Sequence, residues 1–550
     1  MNYSAFNTTK DHAYNIRRAL EYLRAHGENS LEFDRGVYEI YPDLASEGIY
    51  CTSNHGVNGF KRIAFLLKDM KDFTIDGGGS EFVMRGIINP IVVDSCENIT
   101  IRNIKLSTPD SLTVDGEVTE VDEQGFSLRV DTTQKLSTST IPTGRLGVGE
   151  GENLCYFHGF IEALPDKSKL RSGIGDFWMR PDYLCEIVSK DEKGYDLRFT
   201  TPGYSPVKGN HLVLMSGRRD AACILLDHSR NIIIEDYTAY SGLGMGILAQ
   251  KCENVSVSHM KTECKPDRYF SLNADATHFV NCRGRVSVTD SDFSGQLDDA
   301  LNVHGVYTRI LAVDGRVLTV KYMHSQAKGL DIFDKGDRIR IVSPDSLLPK
   351  GEYQVENLEI LNNETTLLTL DRPVEAIPGD DCENISWMPE VEFCGNHVAF
   401  NRARGILLAS GARTVISGNY FNTSGGAILF ESNGEYWFES GATNDVVITG
   451  NFFDNCHYGS WSRAVIDAVP RAKAEDGRFF HGRIEITGNR FVSCHAAPIK
   501  LDNVSEVIVR ENLLEATSAD CGFVHCGWVI CDIPAGTEIG TGRRAKICLS

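Results

Sequence analysis

Several common features are missing from this 550-residue chain. No apolar run is long enough to cross a bilayer. The N-terminus, MNYSAFNTTKDHAYNIRRALEYLRAHGENS, lacks the apolar core of a signal peptide, so the expectation is a cytoplasmic protein that meets no membrane. Proline is scarce, 17 against 51 glycines, so turns are made with Gly, Asn and Asp. Positive charge is short: 55 Lys and Arg face 75 Asp and Glu, a net charge of −20. That disfavours nucleic acid and anionic membranes, which need a basic surface, and favours a neutral substrate over a polyanion. The 16 cysteines include no CxxC pair, which leaves a zinc site little support. They read as small buried thiols in a reducing compartment, several inside apolar runs (Cys155, Cys185, Cys223, Cys548). No Ser/Pro/Gly-rich linker divides the chain. A chain this long exceeds one ordinary core unless its fold is a repeat that grows along one axis.

A repeat is present. After an amphipathic N-terminal segment with Ile16, Leu20 and Leu23 on one face, a unit recurs: an apolar run, a polar turn, a β-branched run, then Asn or Asp-Gly. Examples are IVVDSCENITIRNIKL from Ile91, CILLDHSRNIIIEDYTA from Cys223 and GILLASGARTVISGNYF from Gly405. Ile224 and Ile247 are 23 residues apart, Ile406 and Ile428 22. A period of this size with two or three short strands per unit is that of a parallel β-helix, whose coils stack at about 4.8 Å. The recurring Asn98, Asn231, Asn254, Asn419, Asn451 and Asn489 suit tight bends, where Asn tolerates left-handed backbone angles and stacks in ladders. A leucine-rich repeat is excluded because no leucine consensus recurs. The N-terminal helix is expected to cap the open end.

Two stretches break the rhythm, 111–215 and 309–390. Both alternate apolar and polar residues around Asp-Gly, Lys-Gly or Asn-Asn turns, an antiparallel hairpin pattern. The fold class predicted is all-β: a right-handed parallel β-helix with two inserted antiparallel β-barrel-like domains and a short N-terminal capping helix. The divisions are 1–110, 111–215, 216–308, 309–390 and 391–550.

The stretch from Leu272 to Gly305, LNADATHFVNCRGRVSVTDSDFSGQLDDALNVHG, carries the candidate chemistry. Asp275 and Asp298 are 23 residues apart, about one coil, which predicts that they stack on neighbouring coils with Asp299 beside them. A carboxylate aimed into an apolar core is very costly, so a bulge or bend at LDDAL is expected to turn both outward. Crowding should raise at least one carboxyl pKa, leaving an acid beside ionised bases, as glycoside hydrolysis requires. Asp290 and Asp292 fall out of phase. Asn273, Asn302 and His304 lie near, and no Lys or Arg intervenes between Asp298 and His304. A plain polar turn and a calcium site are the competing readings of the carboxylates. Arg404, Glu431, Trp437 and Glu439, where the β-helix pattern resumes, and Asn54 and His55 in TSNHG, are candidate sugar contacts.

The order NAD, DD, HG resembles the NTD, DD, GHG of family 28 polygalacturonases. A longer resemblance is to glycoside hydrolase family 110, the bacterial α-1,3-galactosidases. It is carried by FDRGVYEIYP, CTSNHG, FTIDGGGSEF, SGLGMGILAQ, NADATHF, LDDALNVHG, NRARGILL and YWFESGATNDVVITGN, from Phe33 to Asn451. The resemblance implies a right-handed β-helix with two barrel inserts and hydrolysis of terminal α-1,3-linked galactose with inversion, on linear or blood-group-B-type glycans. By the same analogy Asp298 is the general acid, and Asp275 and Asp299 hold and activate water. Acid–base hydrolysis of a neutral glycoside needs no metal or cofactor. Dimeric members of the family point to a homodimer. The Arg-Ile-Lys with which polygalacturonases grip a uronate is absent; the nearest string, RIRIV from Arg338, lies in an insert. The alternatives are a polygalacturonase-like or lyase-type β-helix enzyme, and a non-catalytic carbohydrate-binding solenoid.

Overall fold

The computed structural model describes residues 1–532 apart from 57, 141, 142, 150, 152, 153, 174, 175, 180–182, 201, 202 and 410, together with strand positions 540–541 and 546–548. The helix His12–His26 opens the chain. Asp11 caps it, accepting from Tyr14 N at 2.9 Å, and Gly27 ends it at φ 68°. Its buried face carries Ile16, Leu20 and Leu23, and it packs on the strands that begin the solenoid, chiefly Gly59–Lys68.

From there the chain winds as a parallel β-helix with three short strands per coil. In one coil these are Ile247–Gln250, Glu253–Ser258 and Lys261–Thr262. The first row is held in register from coil to coil: Ile224 pairs with Ile247, Ile247 with Thr277, Thr277 with Leu301, Leu301 with Ile406, and Ile406 with Ile428. Apolar side chains fill the interior in stacks. The rings of Phe393, Phe421, Phe453 and Phe491 follow one another at centroid distances of 6.2, 5.3 and 4.6 Å.

The asparagines form two different ladders. Asn98, Asn231 and Asn254 take left-handed angles, φ 55°, 56° and 55°, and hand their side-chain amides along at 2.9 and 3.0 Å. Asn419, Asn451 and Asn489 do not. The glycine before each, Gly418, Gly450 and Gly488, takes the left-handed angle at φ 64°. That frees the asparagine to turn inward, where it is almost wholly buried. Asn419 Nδ2 donates to Asn451 Oδ1 at 2.8 Å, Asn451 Nδ2 to Asn489 Oδ1 at 2.9 Å, and each also donates to a carbonyl of the preceding coil, that of Phe393 and of Ile416. Breaking a rung strands buried donors and acceptors, at about 1–3 kcal/mol per group. Asn451→Ala is therefore expected to destabilise the C-terminal coils by about 1–3 kcal/mol, read as a lower urea midpoint, and an unchanged midpoint would show the ladder to be dispensable.

The two interruptions are antiparallel. Strands between Val114 and Met215 form a seven-stranded and a three-stranded sheet around one core that includes Phe126, Leu146, Phe160 and Phe199. Strands between Thr308 and Asn384 close into a six-stranded barrel. Among the described residues only this second insert closes. It covers the outer face of the first strand row: Val92, Leu225, Leu248 and Val280 share a core with Ile332, Phe333 and Ile339 of the barrel. The row is thus buried on both faces. The 15 cysteines whose side chains are described are all free, most of them buried; the side chain of Cys548 lies outside the described residues. Among the described residues no helix is long and apolar enough to cross a membrane.

Candidate active site

Asp275, Asp299 and Arg404 each stand two residues ahead of the mutually paired Thr277, Leu301 and Ile406. They therefore stack on three successive coils. This corrects the spacing argument. The step here is 24 residues, so the coil-mate of Asp275 is Asp299, whose backbone N–H donates to Asp275 Oδ1 at 3.2 Å. Asp298 is the neighbour that turns aside. Leu297–Ala300 is a bend and not a strand, and both carboxylates of the pair line one cavity with Asp275. One oxygen from each of the three lies within 4.8 Å of the others.

The charges around the trio come from distant parts of the chain, which the absence of a cation in LDDALNVH did not foretell. Arg404 grips Asp299 with Nε to Oδ1 and Nη2 to Oδ2, both at 2.9 Å, and its backbone N–H adds a third bond at 3.0 Å. Arg219 donates to Asp298 Oδ2 at 2.7 Å. Arg402 lies 3.9 Å from the same oxygen and is itself held by Asp176 of the first insert at 2.8 and 2.9 Å. Asp275 has no arginine or lysine in contact among the described residues; His278 Nδ1 is 2.6 Å from its Oδ2.

These partners divide the protons. Burial raises Asp275, and the nearby Asp298 charge adds to it, carrying its pKa to about 7. Burial likewise raises Asp299 to about 7, with the Arg404 guanidinium in contact with both its oxygens opposing the rise. The two stacked carboxyls thus rise alike, and the guanidinium on both oxygens of Asp299 assigns the proton to Asp275. Burial would raise Asp298 too, yet Arg219, Arg402 and Arg404 together outweigh it and hold Asp298 below the usual carboxylate range. In the unliganded protein the acid is Asp275, with Asp298 and Asp299 ionised between three guanidinium groups.

The cavity measures about 670 Å³, within the range of small-molecule sites. Asn54, Asn273, Asn302, Arg404, Glu431, Trp437 and Glu439 all line it. Asn273 Nδ2 and Asn302 Oδ1 are buried without a hydrogen-bond partner among the described residues. Asn54, at φ 54°, reaches across to Glu439 Oε1 at 3.2 Å. Glu439 arrives because Glu439–Ser440 pairs antiparallel with Gly305 and Val306, folding the 431–443 loop over the site. The approach is close: a Cβ at Gly305 would meet Ser440 Oγ at 2.4 Å. Glu431 is bonded to Arg471 at 2.9 Å, and Trp437 lies against His324.

Two of the expected contacts stand behind the wall. His55 is buried against Gly244, its Nδ1 2.9 Å from the Ser53 carbonyl, and burial pushes it down to about 3. His304 is 3% exposed and meets His278. Neither lines the cavity. Asp290 and Asp292 lie away from it: Asp290 turns at φ 50° and Asp292 contacts His397 in a largely exposed pair. The sequence reading missed Arg219, Arg402 and His278, and the wall that the first insert supplies, where Trp178 leans on His158 at 4.9 Å. Arg402 carries its guanidinium 5.0 Å over the Trp461 ring on that side. The string RIRIV is a barrel strand, Arg338–Val342, and is no part of the cavity lining.

Residues 317–380 match the family described as GLAA-B beta-barrel domain II, and residues 382–532 the right-handed beta helix region. An α-1,3-galactosidase B of Phocaeicola vulgatus is 30% identical over 92% of this chain and 90% of its own. An α-1,3-galactosidase A of Shewanella woodyi is 30% identical over 86% and 78%. An α-1,3-galactosidase B of Bacteroides fragilis is 30% identical over 93% and 90%. The solenoid is thus a right-handed β-helix, and the chain belongs to the family of these α-1,3-galactosidases, glycoside hydrolase family 110.

Proposed function

We propose that the protein is an exo-acting glycosidase that removes terminal α-1,3-linked galactose, from linear α-galactosides or blood-group-B-type glycans, with inversion. The observation that carries this is a carboxylate trio in a sugar-sized cavity, in a chain 30% identical to α-1,3-galactosidases over 92% of its length. Two walls divide the labour. Arg404, Glu431, Asn302, Trp437 and Glu439 offer fixed donors, acceptors and one aromatic face to the galactose. Arg402, Trp461, His158 and Trp178 form the opposite wall, where the leaving sugar sits. Asp298, bonded to Arg219 and lying between Arg402 of the second wall and Arg404 of the first, 3.9 and 3.8 Å away, delivers the proton to the departing oxygen. Asp275 and Asp299, stacked on adjacent coils, hold the attacking water.

The cations argue for a neutral sugar. Arg218 is bonded to Asp220, Arg219 to Asp298, Arg402 to Asp176 and Arg404 to Asp299, so the cavity's guanidinium groups are already paired and none waits for a uronate. Three close carboxylates would suit a hard cation, but Arg404 takes both oxygens of Asp299 and Arg219 one of Asp298.

The oxygens of the trio lie closer than the roughly 6.5–9.5 Å that separates acid from base in a two-carboxylate inverting site. That rule describes one acid facing one base across a water; here two carboxylates share the water and the third faces the leaving group. The test follows the product anomer by NMR. EDTA-treated protein given Galα1-3Gal should release β-galactose first. α-Galactose first would overturn inversion, loss of activity restored by calcium would overturn metal independence, and binding without turnover of any α-galactoside would leave a carbohydrate-binding solenoid.

A further inference from the structure

Behind the trio, two buried imidazoles lead from Asp275 to the far wall of the cavity, and their hydrogen bonds fix a proton count. His278 Nδ1 is 2.6 Å from Asp275 Oδ2. His278 Nε2 is 2.9 Å from His304 Nε2, the rings crossing at 84°. His304 Nδ1 is 2.6 Å from the Gly305 carbonyl oxygen. Both rings are buried, at 0% and 3% exposure.

The carbonyl can only accept, so His304 Nδ1 carries a proton. If His304 is neutral, its Nε2 is bare, and His278 Nε2 must donate to it. If His278 is neutral too, its Nδ1 is bare, and the last bond must run from an Asp275 hydroxyl to nitrogen. An ionised Asp275 beside two neutral rings would set lone pair against lone pair at 2.6 or 2.9 Å. All three bonds form only when the array holds one proton more than a carboxylate and two neutral imidazoles.

That proton has a second resting place. The Asp275 Oδ2–H bond breaks as His278 Nδ1–H forms; the His278 Nε2–H bond breaks as His304 Nε2–H forms. Asp275 becomes a carboxylate, His304 an imidazolium, and His278 stays neutral in its other tautomer. Every hydrogen bond survives. The new cation has a counter-ion, because Glu439 Oε1 is 3.7 Å from His304 Nε2 and lines the cavity.

We propose that His278 and His304, ending at Glu439, are a proton relay that switches the buried Asp275 between acid and carboxylate. The proposal rests on the reading of the trio as the galactosidase groups. Inverting hydrolysis leaves on the base, at every turnover, a proton taken from water. Asp275 is 2% exposed, and a bound sugar closes its one open side. The relay moves that proton off Asp275 onto His304, 3.7 Å from Glu439 in the cavity lining, from which it passes to solvent when the sugar leaves. Burial raises Asp275 and drives His278 well down, so the proton rests on Asp275 in the free protein. The charged and titratable groups that face the array are Asp298, Asp299, Arg219 and Arg404 at the Asp275 end, His55 beside His278, and Glu439 and His324 at the His304 end. Asn54 fixes Glu439 from the opposite side at 3.2 Å.

The decisive measurement needs no substrate, so it stands or falls apart from the galactosidase reading. In ¹⁵N-histidine-labelled protein near pH 6, NMR should find His278 protonated at Nε2 and His304 at Nδ1. A bare His278 Nε2 in the free protein overturns the relay. His304→Gln should lower kcat at least about tenfold, in the range of lost acid–base assistance, with KM unchanged and a larger solvent deuterium effect on kcat. A purely structural histidine would move stability or KM and leave the isotope effect alone; kcat and isotope effect both at the unsubstituted value would also overturn the proposal.

Discussion

Asp298→Asn is expected to lose about 10²–10⁴-fold in kcat on Galα1-3Gal and far less on an aryl α-galactoside. The difference isolates proton delivery, because a good aryl leaving group departs with little help. Asp298 starts from an unfavourable state. In the unliganded cavity Arg219, Arg402 and Arg404 hold it ionised against the effect of burial. A disaccharide that fills the site must change this, by drawing Arg219 onto its own hydroxyls and by excluding water. Both changes raise Asp298, since each removes support from its charged form. The pH profile carries the sign. A proton that the substrate complex must hold is lost as pH rises, so activity on the disaccharide should fall on the alkaline side. In Asp298→Asn assayed on the aryl galactoside that alkaline limb should flatten. Equal loss on both substrates would remove Asp298 from the acid's role and leave Asp275, the carboxyl protonated at rest, as the candidate.

The fold was largely legible because its cause is periodic. Interior positions of a β-helix must be apolar at every coil, so the pattern repeats wherever the coil does, and the buried strands at Ile224, Ile247, Ile406 and Ile428 follow it. The hairpin alternation of the inserts was readable for the same reason. The roles of the asparagines were half legible. A residue type marks a bend, but which residue takes the left-handed angle depends on its neighbour: in Gly418-Asn419 the glycine accepts it and the asparagine turns inward.

The site was legible as a trio and misread in its pairing. A repeat length is an average, and coil steps vary with each turn; one residue more between Thr277 and Leu301 moves the stack from Asp298 to Asp299. The cations were beyond reach by spacing. Arg219 enters from the loop before the coil of Ile224, and Arg402 is positioned by Asp176 of an insert more than two hundred residues earlier. His278 carried one signal, a polar ring inside the apolar run THFV, which reads equally as a half-exposed strand residue. Burial of that strand row on both faces, by the second barrel, is what converts it to a partner of Asp275.

The stacked aspartates should separate function from stability. Asp275→Asn and Asp299→Asn are each expected to lose at least about 10²–10⁴-fold on both disaccharide and aryl substrate, since activating water is required whatever the leaving group. Their effects on folding should have opposite signs. Asp275 is protonated at rest, its pKa raised to about 7. A raised carboxyl contributes stability that is complete below its unfolded value near 4 and is lost as pH climbs through 7, because ionising it in a buried site costs free energy. An Asn amide copies the protonated form and can donate to His278 Nδ1 as the hydroxyl does. Asp275→Asn should therefore nearly match the unsubstituted protein near pH 4 and exceed it in denaturant midpoint at pH 8. Asp299→Asn removes the anion from a buried ion pair and leaves Arg404, whose Nε and Nη2 both point at it, uncompensated. Breaking such a pair from one side costs roughly 3 kcal/mol or more, so this variant should unfold earlier at both pH values. If instead Asp275→Asn were the destabilised variant at pH 8, the proton would not rest on Asp275, and the arrangement of charge derived for the free site would have to be reversed.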